Sequence, residues 1–439
     1  MLDTITDVLF LKDHNTRVVV ISVMLLGVSS GVIGAFLLLR KRSLMGDVLS
    51  HATLPGLGLA FATMTALGYS GKSLPGLLLG ATISGALGLL LMLAIRSTTR
   101  LRDDVAMGFV LSVFFGLGVA VLGMVQKMPG ANAAGLESFI YGKTASMVLQ
   151  DAQLIGGVAL LISVLAVLFK KEFTLICFDD GYAAAQGWPV ILLDVVMLAL
   201  VTCVTVIGLQ AVGLILIIAF LIIPATAARF WTHRLEYMIL LAALIGALSG
   251  WLGASFSGIF GNMPAGAIIV LVAATIFLFS MFFGRARGLV PRLQDQLRLK
   301  RRVGRQHLLR AAYEILEQQP GPLANVPVDR NSLFEHRSWS RREFNRFLAH
   351  AQVEDHLETC TDDEILLSES GFGEAARMTR NHRLWELYLI RHADIAPSHV
   401  DRDADMVEHI LGAEMVRQLE VELGNPGHFS SSPHTISSK

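Results

Sequence analysis

Asp47 and His51 stand four residues apart in the stretch Leu44-Met-Gly-Asp-Val-Leu-Ser-His-Ala-Thr-Leu-Pro-Gly-Leu-Gly-Leu-Ala-Phe61. On a helix that spacing carries both side chains to one face. The stretch opens a hydrophobic span, where an ionisable group is costly and normally lines a path for a polar solute or ion. A carboxylate beside an imidazole suits a divalent first-row metal: zinc, manganese or iron. The alternative is a charge at a helix end and a histidine bonded to a neighbouring backbone carbonyl.

The chain that must position this pair has two unlike halves. Its 439 residues are 53% hydrophobic and only 16% charged, the balance of a membrane protein. Residues 1–284 hold 28 Asp, Glu, Lys and Arg against 44 in residues 285–439, so a membrane domain precedes a soluble one. A span needs about 20 apolar residues. Nine are predicted, near 17–39, 48–68, 74–95, 104–124, 151–169, 190–208, 211–228, 235–256 and 263–283. Arg40, Lys41 and Arg42 follow the first span, Arg96, Arg100 and Arg102 the third, and Lys170 and Lys171 the fifth. Arg229 and Arg234 follow the seventh, and Arg285 and Arg287 the ninth. All these clusters fall on one side, which the positive-inside rule makes the cytoplasm. The N-terminus is then outside and the C-terminal half cytoplasmic. Cys177, Cys203 and Cys360 have no metal or redox spacing and fit a reducing compartment for the soluble half.

Glycines such as Gly80, Gly85, Gly88, Gly246, Gly250 and Gly253 let helices approach closely in lipid. Gly208 to Gly213 join the sixth and seventh spans with almost no loop, which permits a tight turn or a broken helix. Asp194 and Glu137 are further polar residues near apolar segments, with no partner at helical spacing. Ala66-Leu-Gly-Tyr-Ser-Gly-Lys-Ser73 satisfies a loose phosphate-loop pattern but lies between two hydrophobic spans, not after a buried strand. This chain is therefore expected to bind no nucleotide.

Gly46-Asp-Val-Leu-Ser-His-Ala-Thr-Leu-Pro-Gly56 resembles the signature of the permease family of zinc, manganese and iron ABC importers. Val212 to Arg229, with Pro224, resembles that family's late-span motif, and the resemblance covers about residues 17–284. It implies two permease subunits around a path, a pair of cytoplasmic ATPases that drives it, and a separate extracytoplasmic metal-binding protein. Asp47 and His51 match the family's polar pair. Phe178 to Pro189 resembles the short cytoplasmic helix through which such permeases contact the ATPase. Its residue types agree: Asp179 and Asp180 favour a helix N-terminus, Gly187 a C-terminal stop and Pro189 a restart.

In the soluble half, nine Arg and Lys crowd residues 285–310 against one acid, Asp295. Beside a span this is most simply an anchor at anionic lipid. Leu308 to Leu316 is apolar-periodic, with Gly321 and Pro322 beyond it. Ser340 and Glu343 form a capping box ahead of Phe344, Phe347 and Leu348. Glu364 to Leu367 is a strand candidate. Helix, helix, helix, strand is the order of a winged helix, which reads DNA or docks protein. Asp362 and Asp363 flank the wing, where phosphate contact wants Lys or Arg. His382 and Glu386 are spaced i, i+4, and Asp405, Glu408 and His409 are spaced i, i+3, i+4. Each set shares a helix face, and mixed oxygen and nitrogen donors suit manganese or ferrous iron. A charged surface helix gives such pairs as well.

Residues 305–424 resemble the iron- and manganese-dependent repressors of the diphtheria toxin repressor type. The match rests on Leu367-Ser-Glu-Ser-Gly371, Asn381-His-Arg-Leu-Trp-Glu386 and Val407-Glu-His409. That family binds DNA as a metal-loaded dimer. Carried over, His382, Glu386, Asp405, Glu408 and His409 fall at ligand positions, and His307 falls near one in the first helix. The DNA-reading segment departs from the pattern and no third domain follows.

The expected fold is an all-α polytopic membrane domain of about nine transmembrane helices, followed by a cytoplasmic winged helix and a helical metal-sensor domain. The expected divisions are 1–284, a basic juxtamembrane linker 285–304, a winged-helix-like domain 305–372, a metal-binding and dimerisation domain 373–424 and a disordered tail 425–439. The expected function is the permease subunit of an ATP-driven manganese, zinc or iron importer of the bacterial inner membrane. It is not an enzyme, since a separate subunit hydrolyses ATP. The C-terminal half then responds to metal. Its rivals are a metal-dependent DNA-binding repressor and a metal-independent docking domain.

Overall fold

The computed structural model describes residues 14–69, 73–128, 147, 149–259, 264–320, 323, 325–337, 339–359, 361, 363–392 and 413–422. The chain forms two compact units, Met1–Arg292 and Leu293–Lys439. In the first, apolar helices run in series: α1 His14–Leu39, α2 Met45–Ala66, α3 Leu74–Thr98, α4 Asp103–Gln126 and α5 Leu149–Leu168. Two short helices follow, α6 Lys170–Phe178 and α7 Asp180–Ala185. Then come α8 Val190–Val212, α9 Leu214–Arg229, α10 Leu235–Ile259 and α11 Ala265–Phe283.

Seven of these, α1, α3, α4, α5, α8, α10 and α11, are long and apolar enough to cross a bilayer, among the described residues. The other two predicted spans are also helices. At 16 residues α9 is short, because Gly213 turns the chain at φ +84, a conformation open to glycine, and splits one apolar run into α8 and α9. The remaining helix, α2, carries Asp47 and His51 and falls outside the seven. Two thirds of the apolar window of α1 is buried but only 22% of those of α4 and α11, so α1 is central and the other two face outward. Leu79, Ile83, Leu87 and Leu90 lie exposed along one face of α3, a surface that suits lipid and not water. Gly56 of α2 and Gly80 of α3 meet backbone to backbone, so a side chain at either would strike the other helix. This contact seats α2 against its neighbour.

The second unit takes in most of α12 Leu289–Glu317, within which the division falls. Next come β1 Val328–Asp329, α13 Arg330–Glu335 and α14 Arg341–Val353. After these lie β2 Leu357–Thr359, β3 Glu364–Leu367, α15 Glu369–His392 and α16 Ala413–Glu422. The strands form an antiparallel sheet in the order β1-β3-β2, with Val328 opposite Ile365 and Leu357 opposite Leu367. Ser340 caps α14 and Glu343 closes the capping box, as predicted. Leu308, Leu309, Leu316, Leu333, Phe344 and Phe347 make the core of this winged-helix arrangement.

Candidate metal path and regulatory site

The Asp47–His51 pair is built on the first two turns of α2. Nε2 of His51 lies 3.3 Å from Oδ1 of Asp47, with the two side chains 17% and 31% exposed, so the pair is reachable and not sealed. Phe115 of α4 holds the imidazole edge-on at 4.9 Å. Nδ1 of His51 is buried and has no hydrogen-bond partner among the described residues. Pro55 sits four residues on, inside the helix, and has no N–H to give the His51 carbonyl. A carboxylate and a ring nitrogen thus meet on one helix face, donors that fit a borderline divalent cation.

A second polar cluster escaped sequence reasoning. Asp194 of α8 has no partner at helical spacing, as expected, but it does have partners, which come from other helices. Its carboxylate accepts from Arg42 at 2.8 Å, Arg96 at 3.1 Å and Arg40 at 3.4 Å. Asp103 binds Arg42 and Arg96 in turn, at 3.1 and 3.3 Å. Arg40 also reaches Asp180 at 3.1 Å and the Ile176 carbonyl at 2.6 Å. Arg42 and Asp194 are buried. Asp194 is therefore a clamp between helices and not part of a path. The basic residues after the first and third spans meet at this one place, as a common side requires.

Through Arg40 the clamp also holds the short helix α7. Asp179 is its N-cap and accepts from the Tyr182 N–H at 2.8 Å. Asp180 lies in its first turn, Gly187 turns the chain at φ +82 and Pro189 caps α8. Tyr182 and Trp188 are left exposed.

In the second unit His382 and Glu386 are both buried, with Nε2 and Oε1 3.2 Å apart. Asp405, Glu408 and His409 lie outside the described residues, and no group of three potential ligands occurs among those described. His307 has its Nδ1 2.8 Å from the Arg337 guanidinium, 30 residues away. The imidazole and carboxylate of His382 and Glu386 fit a metal chemically, but Arg310 intervenes: its Nη1 lies 2.6 Å from His382 Nδ1. Arg310 also donates to Glu314 at 2.7 Å, and His336 approaches Glu314 at 3.2 Å. Burial alone would raise the Glu314 carboxyl; the His336 hydrogen bond and the Arg310 charge outweigh it and bring it down to about 2. A buried polar chain thus runs from α13 through α12 to α15.

These features describe a polytopic helical membrane protein with a carboxylate–imidazole pair in its bundle, joined to a winged-helix unit. Residues 12–284 match the ABC 3 transport family, and residues 368–436 match the iron dependent repressor, metal binding and dimerisation domain. The chain belongs to the ABC 3 transport family. It is 38% identical over 394 residues to the manganese transport system membrane protein MntC of Bacillus subtilis (strain 168), covering 90% of this chain and 88% of the relative. That alignment is longer than the first unit, which ends at Arg292, so it runs into the C-terminal half. The zinc transport system membrane protein TroC of Treponema pallidum (strain Nichols) is 42% identical over 66% of this chain and 95% of its own length. Among solved structures, PsaBC from Streptococcus pneumoniae in complex with Fab has a TM-score of 0.56 at 32% identity, covering 65% of this chain and 98% of that one. The chain is accordingly a multi-pass inner-membrane permease with a repressor-type C-terminal domain. Membership of the family implies an ATPase and a substrate-binding protein as working partners.

Proposed function

We propose that this chain is the permease of an ATP-driven importer of manganese, zinc or iron, and that its C-terminal half binds the same class of metal to regulate transport. The observation that carries this reading is the Asp47–His51 pair, 3.3 Å apart, with a buried and unpartnered Nδ1. The names of the relatives, for manganese and zinc transport, support a divalent metal as cargo. In transport, Asp47 and His51 replace water around the ion and hold it on the path. The pair sits on one rigid helix, so its spacing survives movement of the bundle.

A separate ATPase subunit hydrolyses ATP, and this chain binds no nucleotide. An extracytoplasmic protein delivers the ion, and a second permease subunit completes the path. Asp179, Asp180 and Gly187 shape α7 for docking on the ATPase, and the exposed Tyr182 and Trp188 support that role. In the regulatory half, His382 and Glu386 would hold a metal with Asp405, Glu408 and His409. DNA reading by this half is the weaker alternative, because Glu358, Asp363 and Glu364 lie exposed along the β2–β3 hairpin.

The test is metal uptake by the reconstituted transporter carrying Asp47→Ala and His51→Ala. Uptake should be lost while assembly with the ATPase is kept. Uptake at the unmodified rate would falsify the path assignment.

A further inference from the structure

We propose that a cavity of about 380 Å³ in the second unit, lined by Arg298, Arg301, Arg302, Arg305, His350 and Glu354, holds the phosphate of an anionic phospholipid headgroup. The four arginines are spaced i, i+3, i+4, i+7 and share one face of α12. The opposite wall is the end of α14 and the residue that follows it, Glu354. Glu354 is the only carboxylate in the lining, and it is taken by Arg305. Lys300, on the same helix, is satisfied by Glu343 at 2.7 Å. Arg298, Arg301 and Arg302 are exposed and make no ion pair among the described residues. Nε of Arg305 is buried without a hydrogen-bond partner. Burial, and then the positive charge of Arg302 working against the pull of Glu374, make its guanidinium easier to deprotonate than usual. The cavity therefore concentrates positive charge that its single acid does not balance, and a bound anion relieves it.

The helix itself points to lipid as the source of that anion. Leu289, Leu293 and Leu297 stand exposed one turn apart on α12. Only residues 284–288 separate this helix from α11, the last apolar helix of the membrane unit. Basic side chains with an exposed leucine stripe are the pattern of a helix lying at a membrane interface. A nucleic acid would find phosphate contacts here but no use for the leucines. Phosphate is recognised by guanidinium forks, and four arginines line this cavity.

The test uses the full chain in detergent. It is titrated with dihexanoyl phosphatidylglycerol, dihexanoyl phosphatidylcholine, inorganic phosphate and a short DNA duplex. The glycerol lipid should bind saturably and at least about tenfold more tightly than the choline lipid. One basic residue near an anionic surface is worth about fivefold, so Arg301→Gln with Arg302→Gln should weaken it about 25-fold. Arg298→Gln alone should weaken it about fivefold and guards against misfolding of the double variant. Lys300→Gln should leave it nearly unchanged. Equal binding of the two lipids, an unweakened double variant, or tighter binding of free phosphate or duplex at these arginines would overturn the proposal.

Discussion

Metal loading of the C-terminal half should depend most sharply on a residue that is not itself a ligand, Arg310. Its Nη1 lies 2.6 Å from His382 Nδ1. A guanidinium can only donate, so Nδ1 accepts, and the neutral ring carries its proton on Nε2, 3.2 Å from Glu386. A ring nitrogen must be free of its proton to ligate. With one nitrogen protonated and the other engaged, His382 offers no lone pair until Arg310 lets go. A hydrogen bond to a charged group is worth about 1.5–3 kcal/mol, or about 10- to 150-fold in an equilibrium constant. Arg310→Met keeps a long unbranched chain at this buried position and removes both the bond and the repulsion of a cation. It should bind Mn²⁺ at least about tenfold more tightly than the parent, toward the lower end of that range. The assay is calorimetric titration of the full chain in detergent, with Asp47→Ala and His51→Ala throughout so that the transport pair does not contribute. Glu314→Gln, which leaves the Arg310–His382 contact in place, is the control and should not tighten binding. Unchanged or weaker affinity in Arg310→Met refutes the tautomer reasoning, and absence of binding in every variant refutes a metal role for His382.

Two further outcomes follow from the buried clusters. Breaking a buried ion pair costs about 3–5 kcal/mol, but each arginine on Asp194 keeps a second acceptor: Asp180 for Arg40, and Asp103 for Arg42 and Arg96. Asp194→Asn should therefore cost about 3 kcal/mol, read as a lower unfolding temperature in detergent with Asp194→Glu in between; an unchanged temperature means the clamp is incidental. The Glu314 carboxyl, at about 2 in the folded chain against an ordinary 4.5, contributes stability that is present above about pH 4.5 and lost as pH falls toward 2. Hydrogen exchange over 308–316 should show Glu314→Gln less protected by on the order of 3 kcal/mol at pH 7, with the difference vanishing near pH 2; a difference independent of pH would place its origin elsewhere.

Local signals in the chain translate directly into this structure. Ser340 and Glu343 make a capping box because the partners are three residues apart. Asp179, Gly187 and Pro189 bracket α7 and start α8 because each acts on its own turn of backbone. The strand Glu364–Leu367 forms where its alternation places Ile365 and Leu367 inside. What sequence could not show is pairing between elements. Asp194 meets Arg40, Arg42 and Arg96 across 154, 152 and 98 residues, and Arg310 meets His382 across 72. The arginines after the first and third spans read only as markers of the cytoplasmic side, though they also close the bundle. The predicted span at 211–228 begins too early because a positive φ at Gly213 divides the apolar run there.

The polar residues of the chain thus fall into two kinds, and the difference bears on function. Asp47 with His51, and His382 with Glu386, are paired along one helix, four residues apart. Such a pair keeps its spacing when helices slide or tilt, which a site must do if it is to hold an ion through a transport cycle. Asp194 is paired across helices and saturated by arginine, so it has no capacity left for a cation. A cross-helix pair breaks when the helices separate, so it fixes one arrangement of the bundle and resists others. Asp47 and His51 differ from that clamp in one further respect: among the described residues no arginine pairs with either, and Nδ1 of His51 is left without a partner. His382 shares the local spacing but has Arg310 on its other nitrogen. A metal at Asp47 and His51 has no guanidinium to displace, whereas one at His382 must displace Arg310, so the second pair should fill only at metal levels well above those that load the first.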